Sequence, residues 1–571
     1  MMHPVKATFL GAAGEVSGSC QMLRFMDKGI ERTILIDCGL SQSGGYINRL
    51  KANKLKLPSN FDPKEIAAVI ITHSHIDHVG LVPYLWKIGY RGPIYATFET
   101  ILISQIMLHD AGHIQETDTN KFNSKRARTR KSKIEPLYTE EDAKNSIKLF
   151  QEVKYNETVD LKNGAKFRFQ DAAHILGSAS IEIWIRQENG RNLKIVVSGD
   201  IGHNVNSQFY SADYLILEST YGNRIQEKIN MKKVFLKIAN IIIDTYMKGG
   251  KVIVPAFVSG RIQYFIFGLN EAMRFLSPNK AEILSKVPII IDTPTGRKAT
   301  KIFQQIWDNN RNSIKHMLGR SFNYYDKNNI NPFFLPNLRI IESSKESQAL
   351  NEDSNSMVII SASGMCNAGR ILHHLKHNLW KDTTVVLFVG YQALGTIGRE
   401  ILDGYETVCI LGEKVCVQAQ IISLSEFSAH ADQEGLLNFP FRRFRKPPKR
   451  IILVHGEEDA LEELAEKFQQ HDIEIIVPKK KQTIAIYKDK YEILESFKAH
   501  EPISSFKSQI NTIQNGLRNL GVWFNDPKNS EGNYIEEDLE LIDHNILETS
   551  EGFRNVKHKF KLWKSNIKKG S

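Results

Sequence analysis

Cysteine is scarce in this chain: five among 571 residues, at Cys20, Cys38, Cys366, Cys409 and Cys416, with no CxxC pair and no disulfide spacing. That excludes a disulfide scaffold and fits a reducing compartment. Long apolar runs are missing as well, since none approaches the ~20 residues that a bilayer span needs. The first residues, Met1-Met2-His3-Pro4-Val5-Lys6, enter strand-like sequence directly, without the basic region, apolar stretch and cleavage site of a secretory leader. There is no internal repeat and no low-complexity segment. These absences lead to the expectation of a cytoplasmic protein with no membrane partner, and the length exceeds one ordinary core, so two or three domains are expected.

What is present is ordinary globular composition, 42% hydrophobic and 24% charged, with a formal net charge of +11. Excess Lys and Arg favour a polyanionic partner through counterion release, although a basic surface also serves solubility. The charge is concentrated at 124–133 (SKRARTRKSK), at 442–450 (RRFRKPPKR) and along 554–569. Each also reads as a solvated loop, and for the tail that reading is preferred.

Short β-branched runs and Gly-rich turns alternate over the first two hundred residues. Residues 7–10, 33–37, 67–72, 93–96, 165–169, 181–185 and 193–198 read as strands. Helical spacing covers 81–88, 98–113 and 139–151, the last opened by a Thr139 cap with carboxylates in its first turn. From Tyr214 the pattern turns to βα alternation. Strands at 214–217, 251–254, 288–291, 357–361 and 384–390 are separated by helices such as 232–247 and 261–275, which reads as a parallel sheet. After about Gly395 the first texture returns, with strands at 416–422, 450–454, 473–478 and 482–487. One domain interrupted by another is the economical account. Phe506, Ile510, Ile513, Leu517 and Leu520 fall at helical spacing in an appended segment and read as core or dimer packing.

The densest chemistry is Thr72-His73-Ser74-His75-Ile76-Asp77-His78, directly after the buried-strand pattern 67–71. Three imidazoles and a carboxylate in six residues cannot all be desolvated without a counter-charge, so they predict metal binding. In a tight loop His73 and His75 point one way while Asp77 and His78 turn to a neighbouring position. That suits two adjacent zinc ions. Four residues cannot fill two coordination spheres, and further ligands are expected from elsewhere in the chain. Asp37 in Ile34-Leu35-Ile36-Asp37-Cys38-Gly39, His174 in Ala172-Ala173-His174-Ile175-Leu176-Gly177-Ser178 and Asp200 in Val197-Ser198-Gly199-Asp200 each read, taken alone, as structural turn residues.

In this order the motifs resemble those of the metallo-β-lactamase superfamily. Glu218-Ser219-Thr220-Tyr221, Ser428-Ala429-His430-Ala431-Asp432 and Val454-His455-Gly456-Glu457 resemble motifs A, B and C of its β-CASP nucleases. Segments 15–19 (EVSGS) and 135–142 (EPLYTEED) point to bacterial and archaeal RNA-degrading members similar to the mRNA 3′-end cleavage factor. The resemblance runs from about Ala7 to Tyr487. It implies an α/β fold, an αββα sandwich in two parts (1–210 and 395–494) interrupted by a parallel α/β β-CASP domain (211–394), with an extension at 495–571.

It also implies a site. One zinc would take His73, His75, His174 and a bridging Asp200; the other would take Asp77, His78, Asp200 and His455, with Mn2+ an in vitro substitute. Asp37 would orient ligands, Asp77 would serve as base, and His430, steadied by Glu218, would protonate the leaving oxygen or steady the phosphate. Ser361, Ser363, Gly364 and Arg370 would donate to substrate phosphate, or form only a structural turn. His203 reads as a surface or groove residue, and His373, His374 and His377 as structural or exposed. The expected activity is two-metal hydrolysis of RNA phosphodiesters, with single-stranded RNA as substrate and a homodimer as assembly. His455 favours RNA over DNA, because DNA-repair members typically carry Val there. A DNA nuclease, a small-molecule hydrolase and a non-enzymatic scaffold are the rivals. Endonuclease and 5′-exonuclease action share these motifs and both stay open.

Overall fold

The structure is a computed structural model that describes residues 3–494, apart from 43–45, 55, 56, 58–60, 129, 226–229, 393, 394, 425, 426, 428 and 472. The helical spacing from Phe506 to Leu520 and the basic tail 554–569 lie outside the described residues, as does Thr129 within the first basic cluster. No helix among the described residues is long and apolar enough to cross a membrane.

Two sheets face each other. The first has eight strands, ordered Tyr491–Leu494, Thr483–Ile486, Val5–Gly11, Cys20–Asp27, Ile30–Ile36, Ile66–Ile70, Ile94–Ala96 and Phe150–Glu152. The second has seven, ordered Glu474–Ile476, Arg450–Val454, Tyr214–Glu218, Asn192–Val197, Ala179–Arg186, Ala165–Asp171 and Thr158–Asp160. Alternation along Ile30–Ile36 and Ala165–Asp171 turns Ile34, Ile36, Phe167 and Phe169 into one shared core, fully buried. Each such side chain contributes about 1.5–3 kcal/mol. Separate apolar clusters cover the outer faces: Leu35, Val69 and Leu85 under the helices of the first sheet, and Leu215, Leu436 and Leu464 under those of the second. The architecture is therefore αββα.

Between Glu218 and Arg450 the chain builds a third, six-stranded sheet, ordered Leu338–Ile340, Ile289–Ile291, Val358–Ser361, Val252–Pro255, Val385–Phe388 and Gln420–Ser423. Every pairing in it is parallel, and helices Met231–Met247 and Arg261–Phe275 pack on it.

Strand membership corrects the sequence reading at two places. Tyr214–Glu218 pairs with Asn192–Val197 and Arg450–Val454 in the sandwich, not in the insert. Gln420–Ser423 pairs with Val385–Phe388 in the insert, not in the returning sandwich. The exchange between sheets thus follows Glu218 and Ser423 rather than positions 210 and 394. The buried run Tyr214–Glu218 and the half-exposed edge strand Gln420–Ser423 each state that a strand is present but not which neighbour it bonds. The helix read over 139–151 ends at Ile147, and Phe150–Glu152 becomes an edge strand paired to Ile94–Ala96. The helix read over 98–113 runs on to Arg128. Its apolar period lapses after Ile114, but Thr119 and Phe122 hold it against Tyr46.

Candidate metal centre

The strand Ile66–Ile70 ends at a turn in which Thr72 is pinned to Asp37: its backbone N–H and hydroxyl both donate to the Asp37 carboxylate, at 2.8 and 3.0 Å. The next residues then swing across the sandwich edge. Backbone bonds Ser19 N to Asp77 O (2.7 Å), Cys38 N to His78 O (2.8 Å) and Leu40 N to Ile76 O (2.9 Å) clamp the loop in place. The clamp is so close that a Cβ on Gly39 would stand 1.6 Å from the Asp77 carbonyl oxygen. Asp37, Ala173 and His455 all adopt left-handed backbone at φ 59°, 52° and 53°. Such conformations cost roughly 1–3 kcal/mol each and persist where the surroundings over-determine them.

The loop, the turn after Ala165–Asp171, the turn after Asn192–Val197 and the end of Arg450–Val454 converge. His73 Nε2 lies 3.0 Å from His75 Nδ1 and 3.5 Å from Asp200 Oδ2; His174 Nε2 lies 3.3 Å from His75 Nδ1 and 3.6 Å from the same oxygen. On the other side His78 Nε2 is 3.2 Å from His455 Nε2 and 3.4 Å from Asp200 Oδ1, and His455 Nε2 is 3.5 Å from Asp77 Oδ2. A tetrahedral zinc with ligands at ~2.1 Å has ligand-to-ligand edges of about 3.4 Å. These atoms fall into two clusters, one of His73, His75, His174 and Asp200 and one of Asp77, His78 and His455, and Asp200 Oδ1 approaches the second through His78 Nε2 at 3.4 Å; Asp200 also clusters with Glu218 and His430.

The protons agree with this geometry. Thr72 Oγ1 gives its own hydrogen to Asp37, so it accepts from His73 Nδ1 at 3.0 Å. His78 Nδ1 donates to Asp37 Oδ2 at 2.7 Å. Thr220 Oγ1 donates to the His455 carbonyl and accepts from His455 Nδ1 at 3.1 Å. Each outer nitrogen therefore keeps its hydrogen, and the Nε2 lone pairs of His73, His78 and His455 turn inward. Lone pairs facing each other at 3.0–3.2 Å call for a cation between them. Asp200 Oδ1 is buried with no hydrogen-bond partner, which fits a metal ligand.

Charge points the same way. Burial, then the neighbouring imidazole charge, pushes His73 and His174 well below the ordinary histidine value and His75 down to about 4, leaving neutral donors. Burial also opposes charge on His78 and His455, yet Asp200 and its companion carboxylates hold both above the ordinary value. Asp77 sits at about 2: burial pushes it up, and the His455 hydrogen bond with the surrounding imidazoles outweighs that. Carboxylates that draw protons onto two histidines mark the place where positive charge belongs.

Beyond these groups, His430 contacts Glu218 through Nδ1, at 3.2 Å to each carboxylate oxygen, and its Nε2 is 3.9 Å from Asp200 Oδ2. Glu218 is itself fixed by the Ile201 N–H at 2.8 Å. Ser425, Glu426 and Ser428 of the same motif lie outside the described residues. His430 lines a cavity of about 480 Å³ between sandwich and insert, together with His75, Asp77, Phe257, Ser363 and Arg370.

The insert residues expected to meet phosphate divide. Ser363 and Gly364 line the cavity, the Ser363 hydroxyl accepting from Asn367 and Ala368 N–H groups. Arg370 lines it too, with Nη1 2.5 Å from Asp292. Ser361 does not: it is fully buried and its hydroxyl donates to the Asp292 carbonyl at 2.8 Å, because the strand's alternation turns it into the insert. His374 is buried against Asp292 and Asn351, while His203, His373 and His377 are exposed. Thr72, Thr220 and Asp292 were not singled out from sequence. The first two stand inside quoted motifs beside a ligand or Glu218, and that adjacency was the available signal. A lone Asp after a strand gave none.

Family comparison agrees with the geometry. Residues 14–100 match the metallo-beta-lactamase superfamily, 263–401 the Beta-Casp domain, and 414–478 the Zn-dependent metallo-hydrolase RNA specificity domain. Ribonuclease TTHA0252 of Thermus thermophilus is 32% identical over 458 residues, 79% of this chain and 93% of that protein. The chain belongs to the β-CASP group of the metallo-β-lactamase superfamily. Other β-CASP relatives include an RNase J-like protein of Methanocaldococcus jannaschii, 30% identical over 77% of this chain and 91% of its own length. The transcription termination factor FttA of the same organism is 28% identical over 80% of this chain and 67% of its own.

Proposed function

We propose that this β-CASP protein is a ribonuclease that uses two zinc ions, replaceable in vitro by manganese, to hydrolyse single-stranded RNA. The observation that carries the reading is the pair of adjacent ligand clusters, with Asp200 in one and its Oδ1 3.4 Å from His78 Nε2 of the other, beside a His430 steadied by Glu218. His73, His75 and His174 with Asp200 would hold one ion, and Asp77, His78 and His455 with Asp200 the other. Bound there, the ions would supply Lewis acidity and an activated water.

The remaining chemistry belongs to the chain. Asp37, Thr72 and Thr220 hold the ligand tautomers. Asp77, anionic at any ordinary pH, holds the proton of the attacking water. His430, its Nδ1 on Glu218, offers the Nε2 proton to the leaving 3′-oxygen. The cavity of about 480 Å³ beside His430 would receive the cleaved segment of the single strand. RNA rather than DNA is supported by His455, by the match to an RNA specificity domain and by relatives named as ribonucleases.

A time course on end-labelled RNA beside matched single-stranded DNA tests the reading. Expected are RNA fragments that vanish on chelation and in Asp77→Ala; internal fragments would indicate endonuclease action and early mononucleotides exonuclease action. Cleavage of DNA alone, or activity surviving both chelation and Asp77→Ala, would overturn it.

A further inference from the structure

The basic cluster at 124–133 has no part in the site described above, yet it begins on an element that does. The helix Phe98–Arg128 lines the cavity with Met107, Asp110, Ile114 and Asp118. These positions are spaced by three or four and so share one face of the helix. Counting on from Asp118 along that face gives Lys121, Lys125 and Arg128, all exposed. The other face is occupied. Thr119 bonds Tyr46 at 2.5 Å, Phe122 stacks near the Tyr46 ring, Asn123 bonds the Ile134 backbone at 2.8 and 2.9 Å, and Arg126 donates to the Ser132 carbonyl. This last turn is therefore anchored to its own domain and holds its cationic stripe in line with the cavity.

Two further observations set the direction of that stripe. Among the described residues no carboxylate forms an ion pair with Lys121, Lys125 or Arg128. Burial and the charges of His374, His377, Lys376 and Lys121 lower His373, so Lys121 stands within electrostatic reach of the insert helix Ile371–Asn378. The stripe thus prolongs the cavity-lining face of the helix, with Lys121 beside the insert. Asp118 is its last acid, and from there to Arg128 the helix rises about 15 Å.

We propose that Lys121, Lys125 and Arg128 form a track for the phosphate backbone of an RNA strand that continues beyond the cavity. The proposal rests on the ribonuclease reading above, and the track contributes binding to long substrates only. Three phosphate contacts on a single strand correspond to a log–log salt slope of about 2, or roughly a 20-fold change in KM over a fourfold change in salt.

The test compares the full-length wild type with K121A/K125A/R128A on two labelled RNAs: a short oligoribonucleotide confined to the cavity, and a longer one containing the same cleavable sequence. Expected for the neutralised variant is an unchanged kcat and KM on the short RNA, with a raised KM and a salt slope lower by about 2 on the long one. The charge-retaining variant K121R/K125R/R128K should match the wild type. If the wild type cleaves both RNAs and the neutralised variant is indistinguishable on the long one, the track is refuted and the ribonuclease reading stands. Equal losses on both RNAs, or a loss in the charge-retaining variant, also refute it, since they signal a structural role. If the wild type cleaves neither RNA, the ribonuclease reading itself fails and the track fails with it.

Discussion

Replacing Asp37 by Asn alters one atom and leaves no stable arrangement for its neighbours. The Thr72 N–H, 2.8 Å away, needs an acceptor, so the Asn oxygen must stay at that position. The new amide NH2 then faces the His78 Nδ1–H at what is now a 2.7 Å contact, donor against donor. One relief moves the His78 proton to Nε2, where it points at His455 and Asp200 and removes the inward lone pair. The other flips the amide and leaves a buried N–H unsatisfied, at about 1–3 kcal/mol. Loss of such an orienting partner lowers metal affinity about 10–100-fold, or about 1.4–2.7 kcal/mol. The assay is zinc per chain after dialysis against graded chelator, with thermal melting in excess chelator to separate folding from binding. Asp37→Asn should shed bound zinc at 10–100-fold lower chelator strength, and Ser19→Ala, which removes a 3.3 Å bond to Asp37 and the acceptor of the Gln21 amide but leaves the His78 bond, should shed it much less readily. Wild-type zinc retention by Asp37→Asn would refute the tautomer argument.

Other expectations follow from the same structure. His430→Ala should lower kcat about 10²–10⁴-fold with zinc content unchanged; loss of one metal by elemental analysis would make His430 a ligand instead. Gly39→Ala has to displace the Asp77 carbonyl, so it should lower both thermal stability and metal retention, read in parallel by calorimetry and elemental analysis. In the insert, burial pushes Asp292 up, but hydrogen bonds from His374, Ser347 and Arg370 outweigh it and depress its pKa. Its contribution is therefore present above the ordinary carboxylate value and lost as pH falls through the depressed one. Asp292→Asn should cost about 3–5 kcal/mol near neutrality, and the gap to wild type in denaturant melts should close below about pH 4.

The metal loop was legible because its chemistry is consecutive: four ionisable groups in six residues have no apolar explanation. His174, Asp200 and His455 are single polar residues at strand ends, and only their order within the family pattern marked them. Alternation along a strand decides which side a serine faces, and a Gly-rich turn gives no phase, so the sequence does not separate Ser361, turned into the insert, from Ser363, which lines the cavity. Pairing partners were the least legible: Tyr214–Glu218 is buried on both faces, so its residues carry no trace of the sheet they join. Thr72 and Thr220 act through hydroxyl hydrogens, whose roles appear only once the imidazoles they serve have positions.

The strand Val5–Gly11 is bonded to Thr483–Ile486, and His455 donates its backbone N–H to Ala12. The order of synthesis therefore matters to this protein. The earlier strand waits for its distant partner, so this pairing carries a long loop-closure cost and forms late. At the usual ~5–20 residues per second, His455 emerges tens of seconds after the loop it packs against. Throughout that interval the nascent chain carries the His73–His78 loop without His455, and the cluster of Asp77, His78 and His455 forms only when the sandwich shuts around the finished insert.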